Sequence, residues 1–207
     1  MCGRYYVDDD TAREIEKVIR QVDEKLRREA GCSVTVRAKD IHPTDIAPVL
    51  AVSNGKLCCK LQRWGFPKLQ ESSGSQGKQV IFNARSESAS EKKMFRESVE
   101  HRRVIIPATW FYEWNRNKEK YTFYRKDRTV LFMAGFYSRF GTEERFVILT
   151  TEANESMKPV HDRMPLILEE EEIVPWIFDK GQTEAFLHKN PCQLERRTEF
   201  EQMSLFG

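Results

Sequence analysis

Apolar residues recur at Ile15, Val18, Ile19, Val22 and Leu26, a spacing of three and four that predicts one buried helix face. Thr11-Ala12-Arg13-Glu14 reads as a capping box ahead of that stripe, and Gly31 suits its stop. The period then changes to two. Residues 47–53 and 56–64 predict strands joined by an Asn54-Gly55 turn, the strongest short hairpin signal. Further strand-like runs lie at 80–83, 104–106, 110–114, 121–125, 130–137 and 146–151. Between them, Ser88-Ala89-Ser90-Glu91 opens a predicted helix over 88–100. Late helices are expected over 169–178, strained or shifted by Pro175, and over 183–189. Residues 71–79, rich in Ser, Gly and Gln, read as a mobile surface loop. Many short strands with a few helices predict a single α+β domain over residues 1–200. Its sheet is expected to be mostly antiparallel and partly barrel-like, flanked by the helices.

At 207 residues the chain is long enough for one sizeable core and short for two. With 40% hydrophobic and 32% charged residues it has the makeup of a folded, soluble chain rather than a disordered one. A net charge of +2 is too small to steer the whole molecule toward nucleic acid, so any such binding needs a local arginine patch. The five cysteines, Cys2, Cys32, Cys58, Cys59 and Cys192, are odd in number and irregular in spacing, against a disulfide framework. Adjacent Cys58 and Cys59 would point to opposite faces of a strand, and no zinc-type pair spacing occurs, so no metal is expected. No apolar run approaches the roughly 18 residues needed to span a bilayer. The cytoplasm is the expected compartment, without a membrane partner.

The candidate chemistry starts at the second residue. In Met1-Cys2-Gly3-Arg4, removal of one methionine leaves Cys2 with a free α-amine beside its thiol. Such a 1,2-aminothiol can form an imine with an aldehyde and close it into a thiazolidine ring, and a neighbouring ammonium favours the thiolate. Three other segments put polar residues where a sheet should be apolar. If extended, Phe82-Asn83-Ala84-Arg85-Ser86-Glu87 places Asn83, Arg85 and Glu87 on one face, with Arg85 and Glu87 as a possible solvated ion pair. Trp110-Phe111-Tyr112-Glu113-Trp114 puts three aromatics on one face and Glu113 beside Phe111 on the other, where a desolvated carboxyl suits proton transfer. In His161-Asp162-Arg163, His161 and Arg163 share a face. Each segment also has a plain structural reading: a turn amide, an exposed edge, a satisfied core histidine.

Taken together and in order, Met1-Cys2-Gly3-Arg4, Asn83-Ala84-Arg85-Ser86-Glu87, Trp110-Phe111-Tyr112-Glu113-Trp114 and His161-Asp162-Arg163-Met164-Pro165 resemble the SRAP (SOS-response-associated peptidase) family. Ile41-His42-Pro43-Thr44, Trp64-Gly65 and Ile148-Leu149-Thr150 are also similar to segments found there. The resemblance implies a protein of the DNA-damage response that crosslinks to abasic sites in single-stranded DNA, through a thiazolidine at the mature Cys2. It implies that Asn83 holds the Cys2 amine or the sugar, that Glu113 shuttles protons, and that His161 acts on the sugar hydroxyl and in reversal. Arg4, Arg85 and Arg163 would contact phosphates, Pro43 and Trp114 would pack on bases, and Thr150 belongs with these DNA contacts. No metal or organic cofactor is implied. One departure stands out: the Gly-Trp-Trp-like segment that many members carry is replaced by residues 69–79, without tryptophan.

Two other function classes fit the same residues. One is an amidohydrolase using Cys2 as an amino-terminal nucleophile with His161 as base, and the other is a non-covalent binder of modified DNA. The tail at 201–207 carries a separate signal. Gln202-Met203-Ser204-Leu205-Phe206 resembles the peptide by which bacterial repair proteins dock on the replication sliding clamp, with Leu205 and Phe206 filling an apolar pocket and Gln202 fixing register. A terminal strand packed on the core is its plain reading. The protein is expected to act as a monomer.

Overall fold

The computed structural model describes residues 2–25, 37–68, 80–127 and 130–198. Five strands form a closed circuit. Glu143–Glu152 pairs antiparallel with Leu131–Phe140, which pairs with Arg103–Ala108, then Ile46–Ser53, then Lys56–Trp64. Lys56–Trp64 returns beside Glu143–Glu152 in parallel and closes the ring. Asn83–Arg85, Arg163–Pro165 and Ile167–Leu168 are appended to it. A second sheet is wholly antiparallel, in the order Glu195–Thr198, Lys120–Tyr124, Trp110–Trp114, Arg4–Val7, Lys39–Ile41. The architecture is the α+β, partly barrel-like one that the strand pattern predicts.

Burial on both faces of the closed sheet explains its nearly continuous apolar strands. Along Leu131–Phe140, residues Phe132, Ala134 and Phe136 pack toward the helices, against Ile15, Val18, Val99 and Trp176. Leu131, Met133 and Tyr137 point the other way, into a second core shared with Tyr5, Val7, Phe111 and Phe123 of the five-stranded sheet. Buried Arg103 ties down two helix ends. Its guanidinium donates to the carbonyls of Val99, Glu100 and Trp176 at 3.1, 2.8 and 2.5 Å. These are the groups a helix leaves unpaired at its C-terminus.

The first helix runs Asp9–Lys25, with Ile15, Val18, Ile19 and Val22 of the expected stripe buried. Its cap is Asp8 rather than Thr11. The Asp8 carboxylate accepts from the Thr11 N–H at 2.8 Å, while Thr11 is fully buried against Thr109, 2.8 Å between hydroxyls. The expected helix over 88–100 splits into Ser86–Ala89 and Arg96–His101. Helical dihedrals therefore begin at Ser86, and Glu87 does not continue the extended face of Asn83 and Arg85. Pro175 falls in the first turn of Ile173–Phe178, where its missing N–H costs nothing, and a 3₁₀ turn at Glu170–Glu172 precedes it. The hairpin turn is as expected, with positive φ at Asn54 (50°) and Gly55 (75°). Leu26, Gly31, Cys32, the 71–79 loop and the 201–207 tail lie outside the described residues.

The narrow circuit leaves no room at Gly135. A Cβ there would stand 2.4 Å from the Val147 carbonyl oxygen and 2.6 Å from Ile106 Cδ1. Gly135→Ala is expected to lower the unfolding free energy by about 1–3 kcal/mol, read as a lower urea midpoint at unchanged slope.

Candidate functional site

The first strand fixes the amino terminus. Arg4–Val7 is paired on both sides, with Tyr5 opposite Phe111 on one neighbour and Ile41 on the other. Cys2 is drawn into the second core and is 0% exposed. The Asn83 side-chain amide donates to the Cys2 carbonyl at 2.8 Å, which joins the five-stranded sheet to the closed one. Asn83 itself lies beside Ile148 in a parallel pairing. Glu113 faces inward with Phe111 and is 5% exposed, while Tyr112 and Trp114 occupy the outer face, as the alternation predicts.

Burial decides the state of the thiol. Burial pushes the Cys2 thiol far above its ordinary value of 9.0, and the nearby Glu113 carboxylate adds to the rise. The hydrogen bond with the Arg4 backbone and the positive amino-terminal charge act in the opposite direction and are smaller. In the chain that still carries Met1, desolvation outweighs both and favours the neutral thiol. Its proton is donated to the Arg4 carbonyl at 3.8 Å.

On the far side of Glu143–Glu152, the strand Arg163–Pro165 pairs with Thr150, Thr151 and Glu152. Arg163 is 9% exposed. Its two terminal nitrogens meet the two Glu87 oxygens at 2.8 Å each, and one also donates to the Thr150 carbonyl. The Glu87 partner is thus Arg163, not Arg85. Arg85 is exposed, and none of the described carboxylates is bonded to it. Thr150 is fully buried, its hydroxyl 3.4 Å from the Ala84 carbonyl. The Arg163 backbone N–H lies 2.9 Å from His161 Nδ1. The Asp162 carboxylate lies 2.9 Å from that same Nδ1.

Toward solvent, Arg4 pairs with Asp40 at 2.6 Å and sits 4.8 Å over the Tyr112 ring. Its hydrogen bond holds the Asp40 carboxyl below its ordinary 3.8. Pro43 is half-buried, and its neighbour Thr44 has a φ of 82°. A β-branched residue in that region is strained by about 1–3 kcal/mol. Bonds from the Thr44 N–H to the Trp64 carbonyl (2.8 Å) and from Arg63 to the Thr44 carbonyl (2.6 Å) hold it there. Trp114 ends its strand 37% exposed. Gln202, Leu205 and Phe206 lie outside the described residues. Among the described residues no cluster of three or more His, Cys, Asp or Glu could hold a metal, and no helix is long and apolar enough to cross a membrane.

Cys2, Asn83 and Glu113 are thus brought together from three distant segments. The family model for SOS response associated peptidase (SRAP) matches residues 1–204. The chain belongs to the SRAP family. Among SRAP relatives, the abasic site processing protein YoaM of Bacillus subtilis is 35% identical over 134 residues, 60% of this chain and 59% of YoaM. The abasic site processing protein YoqW of the same organism is 34% identical over 168 residues, 72% of each chain. Two solved structures share the SRAP fold at low identity. A phage-related protein of Bordetella bronchiseptica superposes with a TM-score of 0.73 at 20% identity, covering 95% of this chain and 93% of its own. A Bacteroides thetaiotaomicron protein gives 0.70 at 23%, covering 95% and 91%.

Sequence reasoning missed the Glu87–Arg163 clasp, because the helix starting at Ser86 turns Glu87 away from Arg85. Burial alone would raise the Glu87 carboxyl, yet hydrogen bonds from Arg163 and from backbone N–H groups hold it below its ordinary 4.5. A depressed carboxylate stabilises the fold above its unfolded value and loses that contribution as pH falls through its folded value. Glu87→Gln leaves Arg163 buried without its charge partner and is expected to cost about 1–3 kcal/mol at pH 7. The gap between variant and wild type should close in acid below about pH 4.5, as followed by urea unfolding across a pH series.

Proposed function

We propose that this chain captures abasic sites in single-stranded DNA through Cys2 after Met1 is removed, shielding the lesion. The observation that carries the reading is the Cys2 carbonyl held by Asn83 with the Glu113 carboxylate close enough to act on the thiol. The names of YoaM and YoqW, both abasic site processing proteins, support it.

A neutral, buried thiol makes the amine the first nucleophile. The Cys2 amine adds to the aldehyde carbon of the ring-opened sugar, and the carbonyl oxygen takes the bonding pair and a proton. Loss of that oxygen as water leaves an iminium. The Cys2 sulfur then bonds to the same carbon, the C=N pair returns to nitrogen, and the thiol proton leaves. Aldehyde and aminothiol thus give thiazolidine and one water. Glu113 is assigned the proton transfers, Asn83 the positioning of the amino terminus, and His161 the sugar hydroxyl and reversal. Ring closure removes the imine before β-elimination can cut the strand.

Exposed Arg85 is the phosphate contact that displaces no ion pair. Arg4 and Arg163 would reach a phosphate only in competition with Asp40 and Glu87. Pro43 and Trp114 offer apolar surface to flanking bases, whereas the expected contact Thr150 is fully buried and offers none.

Incubation with a single-stranded oligonucleotide carrying one abasic site should give a heat-resistant shifted band on a denaturing gel. Cys2→Ala should abolish it, and Cys2→Ser, which keeps the amine, should leave no stable adduct. Residues added before Cys2 should be as damaging as mutation. An unshifted wild type, or a band surviving an amino-terminal extension, sinks the mechanism. An amidohydrolase or a non-covalent binder would leave no adduct in the same gel.

The tail is assigned to sliding-clamp docking through Gln202, Leu205 and Phe206, on the strength of its sequence. Deleting residues 202–207 should abolish retention on immobilised clamp while the crosslinking yield stays within about twofold; lost crosslinking would instead make the tail part of the core.

A further inference from the structure

Tyr5 presents an anomaly beside the reacting residue. It lies on the inner face of the first strand, its ring 5.2 Å from that of Trp64 and inclined at 57°. The residue is fully buried, and its hydroxyl has no hydrogen-bond partner among the described residues. A buried hydroxyl left unsatisfied destabilises a fold relative to a phenylalanine of the same shape. Packing therefore explains the ring and not the oxygen.

Cys2 belongs to the same apolar cluster. Its thiol is a donor, and the Arg4 carbonyl is its acceptor. That bond exists only while sulfur carries its proton; a thiolate would be repelled by the same carbonyl and turn from it. One N–H of the Asn83 amide donates to the Cys2 carbonyl. Among the described residues, neither that bond nor the one to the Arg4 carbonyl supplies a donor to sulfur once its proton leaves. The Tyr5 O–H is a donor in this cluster with its capacity unused. Burial, and then the negative charge that Cys2 and Asp45 would carry, keep the phenol protonated, so it remains a donor when sulfur becomes an acceptor.

We propose that the Tyr5 hydroxyl donates a hydrogen bond to the Cys2 sulfur when it loses its proton for ring closure, which rests on the reading of Cys2 as the reacting thiol. The fold retains an unsatisfied group at rest and satisfies it only in the reacting state, the condition under which a donor accelerates a step rather than merely stabilising the ground state.

The test needs no DNA. In full-length protein lacking Met1, alkylation of Cys2 by iodoacetamide is followed by the mass of the amino-terminal peptide across a pH series. Below the thiol's titration the logarithm of the rate rises with pH, because only the thiolate reacts. Tyr5→Phe should displace that line by roughly one pH unit, about tenfold slower at any pH, as expected for loss of one hydrogen bond to a charged group. Its melting temperature should equal or exceed that of wild type. Coincident rate lines overturn the proposal, and so does a Tyr5→Phe protein that melts lower, since the hydroxyl would then hold the resting fold. A displaced line with no crosslinking by wild type would retain this inference and remove the abasic-site reading instead.

Discussion

The arrangement depends on one short strand being held from both sides. Arg4–Val7 is an interior strand of its sheet, between Trp110–Trp114 and Lys39–Ile41, although it begins only three residues after the start of the chain. Terminal segments usually fray; this one is fixed by two ladders, by Tyr5 and Val7 in the core, and by the Asn83 amide on the Cys2 carbonyl. Cys2 takes its position from the strand that follows it and from Asn83.

Electrostatics divide the site into a dry interior and a charged rim. Within the interior, burial favours the neutral Cys2 thiol, and the buried Glu113 carboxylate acts in the same direction. At the rim, cations and anions are matched: Arg4 with Asp40, Arg163 with Glu87, Arg63 with Glu143. Arg85 stands outside that matching. A nearly neutral chain thus carries an exposed cation two residues from Asn83.

Much of the fold was legible because the closed sheet is buried on both faces, so its strands read as apolar runs bounded by turns such as Asn54-Gly55. The inward position of Glu113 followed from alternation alone. Helix starts were harder. Thr11 looked like a cap, but a buried hydroxyl bonded to Thr109 across 98 residues is invisible to local patterns, and Asp8 takes that role. The partner of Glu87 is hidden for a related reason: one change from extended to helical dihedrals at Ser86 turns it from Arg85 to Arg163. The protonation of Cys2 depends on how much of the rest of the chain covers it, which no single segment encodes. Tyr5 gave no signal beyond being an aromatic in a strand.

The topology also sets a time order. The first strand finds its Trp110–Trp114 neighbour across about a hundred residues of chain, a contact that forms only after more than half of the polypeptide has been made. Until then the amino-terminal strand lacks that side of its sheet. Once it is inserted, Asn83 closes on the Cys2 carbonyl and Cys2 is fully buried. The surroundings of Cys2 are therefore assembled late, from partners such as Asn83, 81 residues further along the chain.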